Sequence, residues 1–202
     1  MVERAALWRQ LLTSSLQSNA HLKHSSYFQL ATVRRDGRPA NRTVVFRGFV
    51  EEFNILQFTT DCRSDKIEEI LHNPRGEICW YFTDTWEQFR IQGILDVISS
   101  SEKDSRKASL REKAWFDSSV RSRSQFVGPA PRLPTLHSSS TESKLAPSQG
   151  PVDAFCLVLL HPKEVDYLHL KKNQRVIFTR ASSNSTIESD SNETWNQLEV
   201  NP

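Results

Sequence analysis

Arg42, Arg47, Arg63 and Lys66 crowd into one stretch of the chain, interspersed with Thr43, Thr60 and Ser64. Cations and hydroxyls of this kind hold a phosphate by charge-assisted hydrogen bonds. Each alone is an ordinary surface residue; the combination points to an anion. Arg42-Thr-Val-Val-Phe-Arg47 is β-branched and apolar between its arginines and reads as a strand. Phe53-Asn-Ile-Leu-Gln-Phe-Thr-Thr60 reads as the next. Asp65 then reads as the cap of a helix, with Glu68 as its capping-box partner, Ile67, Ile70 and Leu71 as the apolar stripe and Asn73-Pro74 as the stop. Lys66 falls in the first turn, where free N–H groups and the helix dipole favour an anion. The six glycines build neither a G-x-G-x-x-G nor a Walker loop, so side chains must hold any phosphate. Arg42 and Arg47 are five apart and point to opposite faces of a regular strand; they share a site only if the strand is bulged or the site wraps its end. These residues leave a flavin, a nucleotide and pyridoxal phosphate all open as ligands.

The elements around them are short and mostly hairpin-linked. A first helix is expected over residues 3–17, with Leu7, Leu11, Leu12 and Leu16 facing inward. Strands follow at 27–33 and 40–46 around Asp36-Gly37, a strong hairpin signal. Residues 77–82 and 87–98 continue the series, the second bending at Gly93. A charged helix spans 101–116, and residues 153–160, 164–170, 174–180 and 195–200 give further strands. Five prolines and a Ser-Thr cluster make 129–151 a flexible loop, and 181–194 is a polar one. The pattern is mainly β with peripheral helices, an antiparallel barrel in one domain over residues 1–202.

Composition narrows the function. Hydrophobic residues make up 37% of the 202, enough for a core. With 26 basic against 24 acidic residues there is no field to draw nucleic acid, which disfavours a basic barrel binding through Arg34, Arg35 and Arg38. No stretch reads as a membrane span, and the amphipathic start with its early Glu3 points to the cytosol. Cys62, Cys79 and Cys156 give neither a disulfide framework nor a zinc pattern, and His21 with His24 lacks acidic or Cys partners, so no metal is expected.

Arg42-Thr-Val-Val-Phe-Arg47, Thr59-Thr60, Arg63-Ser64-x-Lys66, Asn73-Pro74-Arg75 and Glu87-Gln88 resemble, in order and spacing, the pyridoxine/pyridoxamine 5′-phosphate oxidase family. Val165-Asp-Tyr-Leu-His-Leu170 and Arg175-Val-Ile-Phe-Thr-Arg180 resemble its closing strands. The closest likeness is to a shorter, divergent branch. The resemblance implies an FMN-binding split β-barrel, antiparallel and Greek-key-like, that forms a homodimer with FMN between subunits. It places Arg42, Lys66 and Arg63 at the FMN phosphate, with Ser64 and Thr60 donating hydroxyls. The backbone of Thr43, Val44 and Val45 would lie along the flavin, and Gln88 and Arg175 would complete the cofactor site. For a small phosphorylated substrate it suggests Arg47, Arg121 and Ser124.

The substrate half departs from the family pattern. Trp115 stands where the family has Tyr, Leu168 where it has Trp, and Asp65 where an Arg precedes the lysine. Lys171-Lys-Asn-Gln174 replaces the family's Arg-Leu-His. The leading reading is an FMN-dependent oxidoreductase of pyridoxamine 5′-phosphate oxidase type, in vitamin B6 metabolism. The alternative is a non-catalytic protein that binds or carries FMN or pyridoxal phosphate.

Overall fold

The computed structural model describes residues 5–51, 53–134, 145–181 and 194–202. Strands β1 (Tyr27–Val33), β2 (Pro39–Phe49), β3 (Leu56–Asp61), β4 (Arg75–Phe82), β5 (Glu87–Ile98) and β6 (Phe155–His169) form an antiparallel barrel. Their order is β3-β2-β1-β4-β5-β6, and pairing of β3 with β6 closes it. β7 (Gln174–Arg180) and β8 (Trp195–Val200) continue the sheet outward from β6. Helices α1 (Leu7–Ser18), α2 (Asp65–His72), α3 (Ser105–Phe116) and α4 (Val120–Ser124) lie outside.

Alternation fills the barrel. Phe28, Leu30, Phe58, Trp80, Phe82, Phe89, Tyr167 and Phe178 point inward, each worth roughly 1.5–3 kcal/mol when fully buried. Trp8 and Leu12 of α1 join this core. A second apolar cluster sits beneath α3, where Trp115 packs on Phe155 and Leu157. The β1–β2 hairpin turns at Gly37 (φ +82°), as Asp36-Gly37 signalled. Strand β2 is irregular beyond Phe46, where its pairing with β3 shifts register before Phe49 and Gly48 takes φ +108°; Arg42 lies before this shift, in the regular stretch.

Four expectations are corrected. Helix α1 starts at Leu7 and buries Trp8, Leu12 and Ser15, leaving Leu7 49% exposed, because Trp8 packs against Phe49 and Trp195. The strands expected at 153–160 and 164–170 are one strand. Pro162 does not break it, because it lies at the register shift opposite Gly93, where a ladder bond is already missing. The helix after β3 has Ser64 at its N-cap position, without a side-chain capping bond, and Asp65 is its first residue. The C-terminal end of the 129–151 loop is packed: Leu145 is buried, and the carbonyls of Pro147 and Gln149 accept bonds from Arg123 and Trp115. Residues 3 and 4 of the expected first helix, residues 135–144, and all but the ends of the 181–194 loop lie outside the described residues.

Candidate functional site

Where β2, β3 and α2 meet, a recess of about 270 Å³ opens. One wall is Thr43, Val44, Val45 and Arg47, and the floor is Thr59, Thr60 and Lys66. The opposite wall comes from the segment through α4: Ser118, Ser122, Gln125 and Phe126. Lys66 Nζ donates to Thr60 Oγ1 at 2.9 Å and to Ser64 Oγ at 3.0 Å. Burial, and then the nearby charge of Arg42, push its pKa below the usual lysine range. Ser64 occupies the cap position of α2, yet its hydroxyl donates to Asp61 O at 2.6 Å, so no side chain caps the helix. The first N–H groups of α2 therefore lack a side-chain partner beside an ammonium and two hydroxyls. That donor set suits a phosphate.

The other expected phosphate ligands are already engaged. Arg42 Nη2 donates to Glu69 Oε2 at 2.6 Å, and Nη1 to Thr32 Oγ1 and Leu30 O. Thr32 also donates to Glu69, which closes a buried triangle. Burial alone would raise the pKa of Glu69, but the hydrogen bonds from Thr32 and Arg42 hold it below the usual carboxylate range. Arg42 thus stands behind the recess, where its charge acts on Lys66. Arg63 grips Asp61 with two N–H groups, at 2.9 and 2.6 Å, and donates to Gly128 O at 3.1 Å. It ties the turn before α2 to the segment after α4. On α4, Ser122 and Gln125 face the recess; Arg121 and Ser124 do not line it, and the Ser124 hydroxyl bonds back to Arg121 O.

Gln88 and Arg175 lie apart from the recess on the outer face of the sheet. Val45 pairs with Tyr27, Tyr81 with Gln88, Gln88 with Leu168, and Leu168 with Arg175. These residues form one outward row, because directly paired residues share a face. At about 4.8 Å per strand, Gln88 is about 14 Å along the sheet from Val45, and Arg175 about 24 Å. Arg175 is held by a two-pronged pair with Asp166, at 2.9 and 2.7 Å. Tyr27, Tyr81 and Leu198 are exposed on this face.

Sequence reasoning missed Ser118, Ser122, Gln125 and Phe126. Only Ser122 lies within α4; Ser118 precedes it and Gln125 and Phe126 follow it, so no helical period marked them as a set. Glu69 carried no local signal, since its partners come from β1 and β2. Among the described residues no group of His, Cys, Asp or Glu is arranged for a metal, and no helix is long and apolar enough to cross a membrane.

Residues 5–99 match the family described as pyridoxamine 5′-phosphate oxidase, FMN-binding domain. A protein of Arabidopsis thaliana named pyridoxine/pyridoxamine 5′-phosphate oxidase 2 is 50% identical over 203 residues, covering 100% of both chains. A pyridoxine/pyridoxamine 5′-phosphate oxidase of Thermosynechococcus vestitus is 34% identical over 123 residues, 56% of this chain and 53% of that one. Among solved structures, a pyridoxamine 5′-phosphate oxidase-related, FMN-binding protein of Nostoc punctiforme superposes with a TM-score of 0.88 at 39% identity, over 98% of this chain and 100% of that one. PhzG of Burkholderia lata shares the fold, with a TM-score of 0.70 at 19% identity over 97% of this chain and 90% of that one.

Proposed function

From the premise that this chain belongs to the FMN-binding pyridoxamine 5′-phosphate oxidase family, we propose that it is an oxidoreductase that grips FMN by its phosphate at Lys66, Thr60, Ser64 and the N-terminus of α2. The observation that carries this reading is the convergence of Lys66 Nζ on two hydroxyls beside an uncapped helix start. The donor set matches a phosphate dianion, and the fit is to the phosphate end of the cofactor. The extended backbone of Thr43, Val44 and Val45 offers a flat flank for the ring system. When bound, FMN supplies the two-electron redox chemistry; the chain supplies position and charge.

Arg47 places a second cation at the rim of the recess, facing Ser122 and Gln125 across it. We assign these three to a small phosphorylated amine or alcohol of the pyridoxamine phosphate class, in place of Arg121 and Ser124. Arg42 acts from behind by fixing β1, β2 and α2 through Glu69, and Arg63 by holding the α4 segment against the turn. Gln88 and Arg175 lie too far along the sheet to reach the same FMN, so they serve the cofactor of a second copy. This makes the working unit a homodimer.

The test is flavin titration followed by fluorescence, in wild type and in Lys66→Ala, with peroxide release measured on pyridoxamine and pyridoxine phosphates. Tight binding by wild type and a clear loss in Lys66→Ala support the site. Equal affinity in both proteins overturns it.

A further inference from the structure

The turn that leads into the phosphate cluster carries one cysteine, and the barrel wall behind it carries another. Cys62 directly follows β3, and its N–H donates to Ala154 O at 2.8 Å, continuing the β3–β6 ladder. Cys156 sits on β6 opposite Thr60 and has no exposed surface. Thr60 and Cys62 share one face of β3, and Ala154 and Cys156 the matching face of β6, so the cysteines are diagonal neighbours. Cys156 belongs to the barrel core and the Cys62 side chain packs against the same core. Cys62 is half-buried, within reach of a small reagent, whereas Cys156 is not.

A buried cation lies beside them. Arg111 donates to Phe155 O at 2.9 Å and to Val152 O at 2.7 Å, and its charge is felt at both sulfurs. A neighbouring guanidinium favours thiolate. Cys62 is the sulfur a reagent can reach, so it attacks, and the buried Cys156, whose thiol burial pushes up to about 12, is the one that resolves. Cys79 is on β4, beside Gln88.

We propose that Cys62 and Cys156 are a redox-sensitive dithiol, that hydroperoxides convert it to a disulfide, and that the disulfide loosens the adjoining phosphate cluster. The Cys62 thiolate attacks the distal oxygen of the hydroperoxide; the O–O bond breaks, the alcohol leaves with a proton, and Cys62 becomes a sulfenic acid. The Cys156 sulfur then attacks Cys62; the S–O bond breaks, and water leaves carrying the Cys156 proton. Two thiols are oxidised while the hydroperoxide is reduced to alcohol and water. An S–S bond of about 2.05 Å is far shorter than a thiol–thiol contact, so Cys62 is drawn toward β6. Ser64 and Lys66 follow it in the chain, and Thr60 is directly opposite Cys156. Shifts of about 1 Å are enough to spoil such a grip. The coupling to FMN rests on the phosphate site proposed above; the dithiol does not. By reciprocity, bound FMN protects the thiols.

The experiment treats the full chain, with and without FMN, with hydrogen peroxide, removes the peroxide with catalase, and then alkylates and maps peptides by mass. The expected product has lost two hydrogens, joins the Cys62 and Cys156 peptides, and leaves Cys79 alkylated. Its Kd for FMN rises about fivefold or more and recovers with dithiothreitol. Cys62→Ser, at the half-buried position, abolishes both the cross-link and the peroxide response, as does Cys156→Ala. All three thiols remaining alkylatable, or cross-links running only through Cys79, overturns the dithiol whatever FMN does. A mapped Cys62–Cys156 disulfide with unchanged FMN affinity overturns the switch.

Discussion

Lys66 is a half-buried ammonium whose pKa is depressed by burial and by Arg42, and this gives the recess a pH signature. Lys66→Ala should remove a charge-assisted bond worth about 1.5–3 kcal/mol, which weakens FMN about ten- to a hundredfold. The phosphate favours protonated Lys66, so binding raises its pKa, and affinity must fall as pH climbs through the value in the free protein. That decline should set in below the ordinary lysine value of about 10.4 and vanish in Lys66→Ala. A flavin titration from neutral to alkaline pH reads it; a flat profile in wild type would count against the assignment. Arg42→Ala should behave differently. It strands the buried Glu69, and breaking such a pair costs about 3 kcal/mol, so thermal stability drops along with FMN affinity. Arg42→Ala combined with Glu69→Ala should recover part of the loss, because no unpaired charge remains. Glu69, held below the usual carboxylate pKa, contributes stability that is present above the unfolded carboxylate value of about 4.3 and is lost as pH falls through its folded value. The types of these residues were legible in the chain, but their pairings were not. Arg42 looks like a ligand until Thr32 and Glu69, from two other elements, are brought beside it.

Most elements were legible from period and punctuation. Alternation marked β1, β4 and β5, the Asp36-Gly37 turn fell where it was expected, and a register irregularity lies at Gly93. The phase of α1 was not legible, because a leucine count cannot show that Phe49 and Trp195 converge on Trp8. Nor was the continuity of β6: Pro162 reads as a break until Gly93, far away in sequence, supplies the irregularity that accommodates it. Gly93 is therefore a position with a sharp expectation. A Cβ there would overlap the His161 carbonyl, which is backbone and cannot rotate away. Gly93→Ala should cost at least about 2–3 kcal/mol, seen as a lower denaturant midpoint. Gly150→Ala meets nothing and serves as the control. Composition also misread the end of the 129–151 loop, since a polar stretch can still bury one anchor. Leu145→Ala should destabilise by about 2–3 kcal/mol, the ordinary cost of truncating a buried leucine. An unchanged midpoint would show that the anchor carries nothing.

At the scale of the molecule, the proposed dimer rests on the separation of the recess from Gln88 and Arg175. If two copies face each other through the outer row, FMN occupancy depends on protein concentration, and Tyr81→Arg on that face should yield a monomer that loses FMN at micromolar concentration. A monomer with full FMN occupancy overturns that reading. Turnover is the harder matter. Oxidising pyridoxamine 5′-phosphate requires its phosphate anchored and its reacting carbon held in near-attack geometry. In the proposed site Arg47, Ser122 and Gln125 are the anchor. The β6–β7 hairpin, where the family's Arg-Leu-His would stand, offers Lys171, Lys172 and Asn173. Lys171 donates to Asp84 O at 2.7 Å and stacks over Trp86, and Arg175 is locked to Asp166. Two of the three cations that could substitute are therefore held elsewhere, and Lys172 alone has no forked geometry to fix a substrate's reacting end. Lost positioning of this kind costs about 10² or more in rate while ground-state binding changes little. The expected outcome is FMN-loaded protein that binds pyridoxamine phosphate yet releases hydrogen peroxide at about 10⁻² s⁻¹ or slower, well under the ordinary lower range of about 1 s⁻¹. A steady-state peroxide assay at saturating FMN measures it. Turnover near 1 s⁻¹ that collapses in Lys172→Ala would show that one lysine does the work of the missing pair.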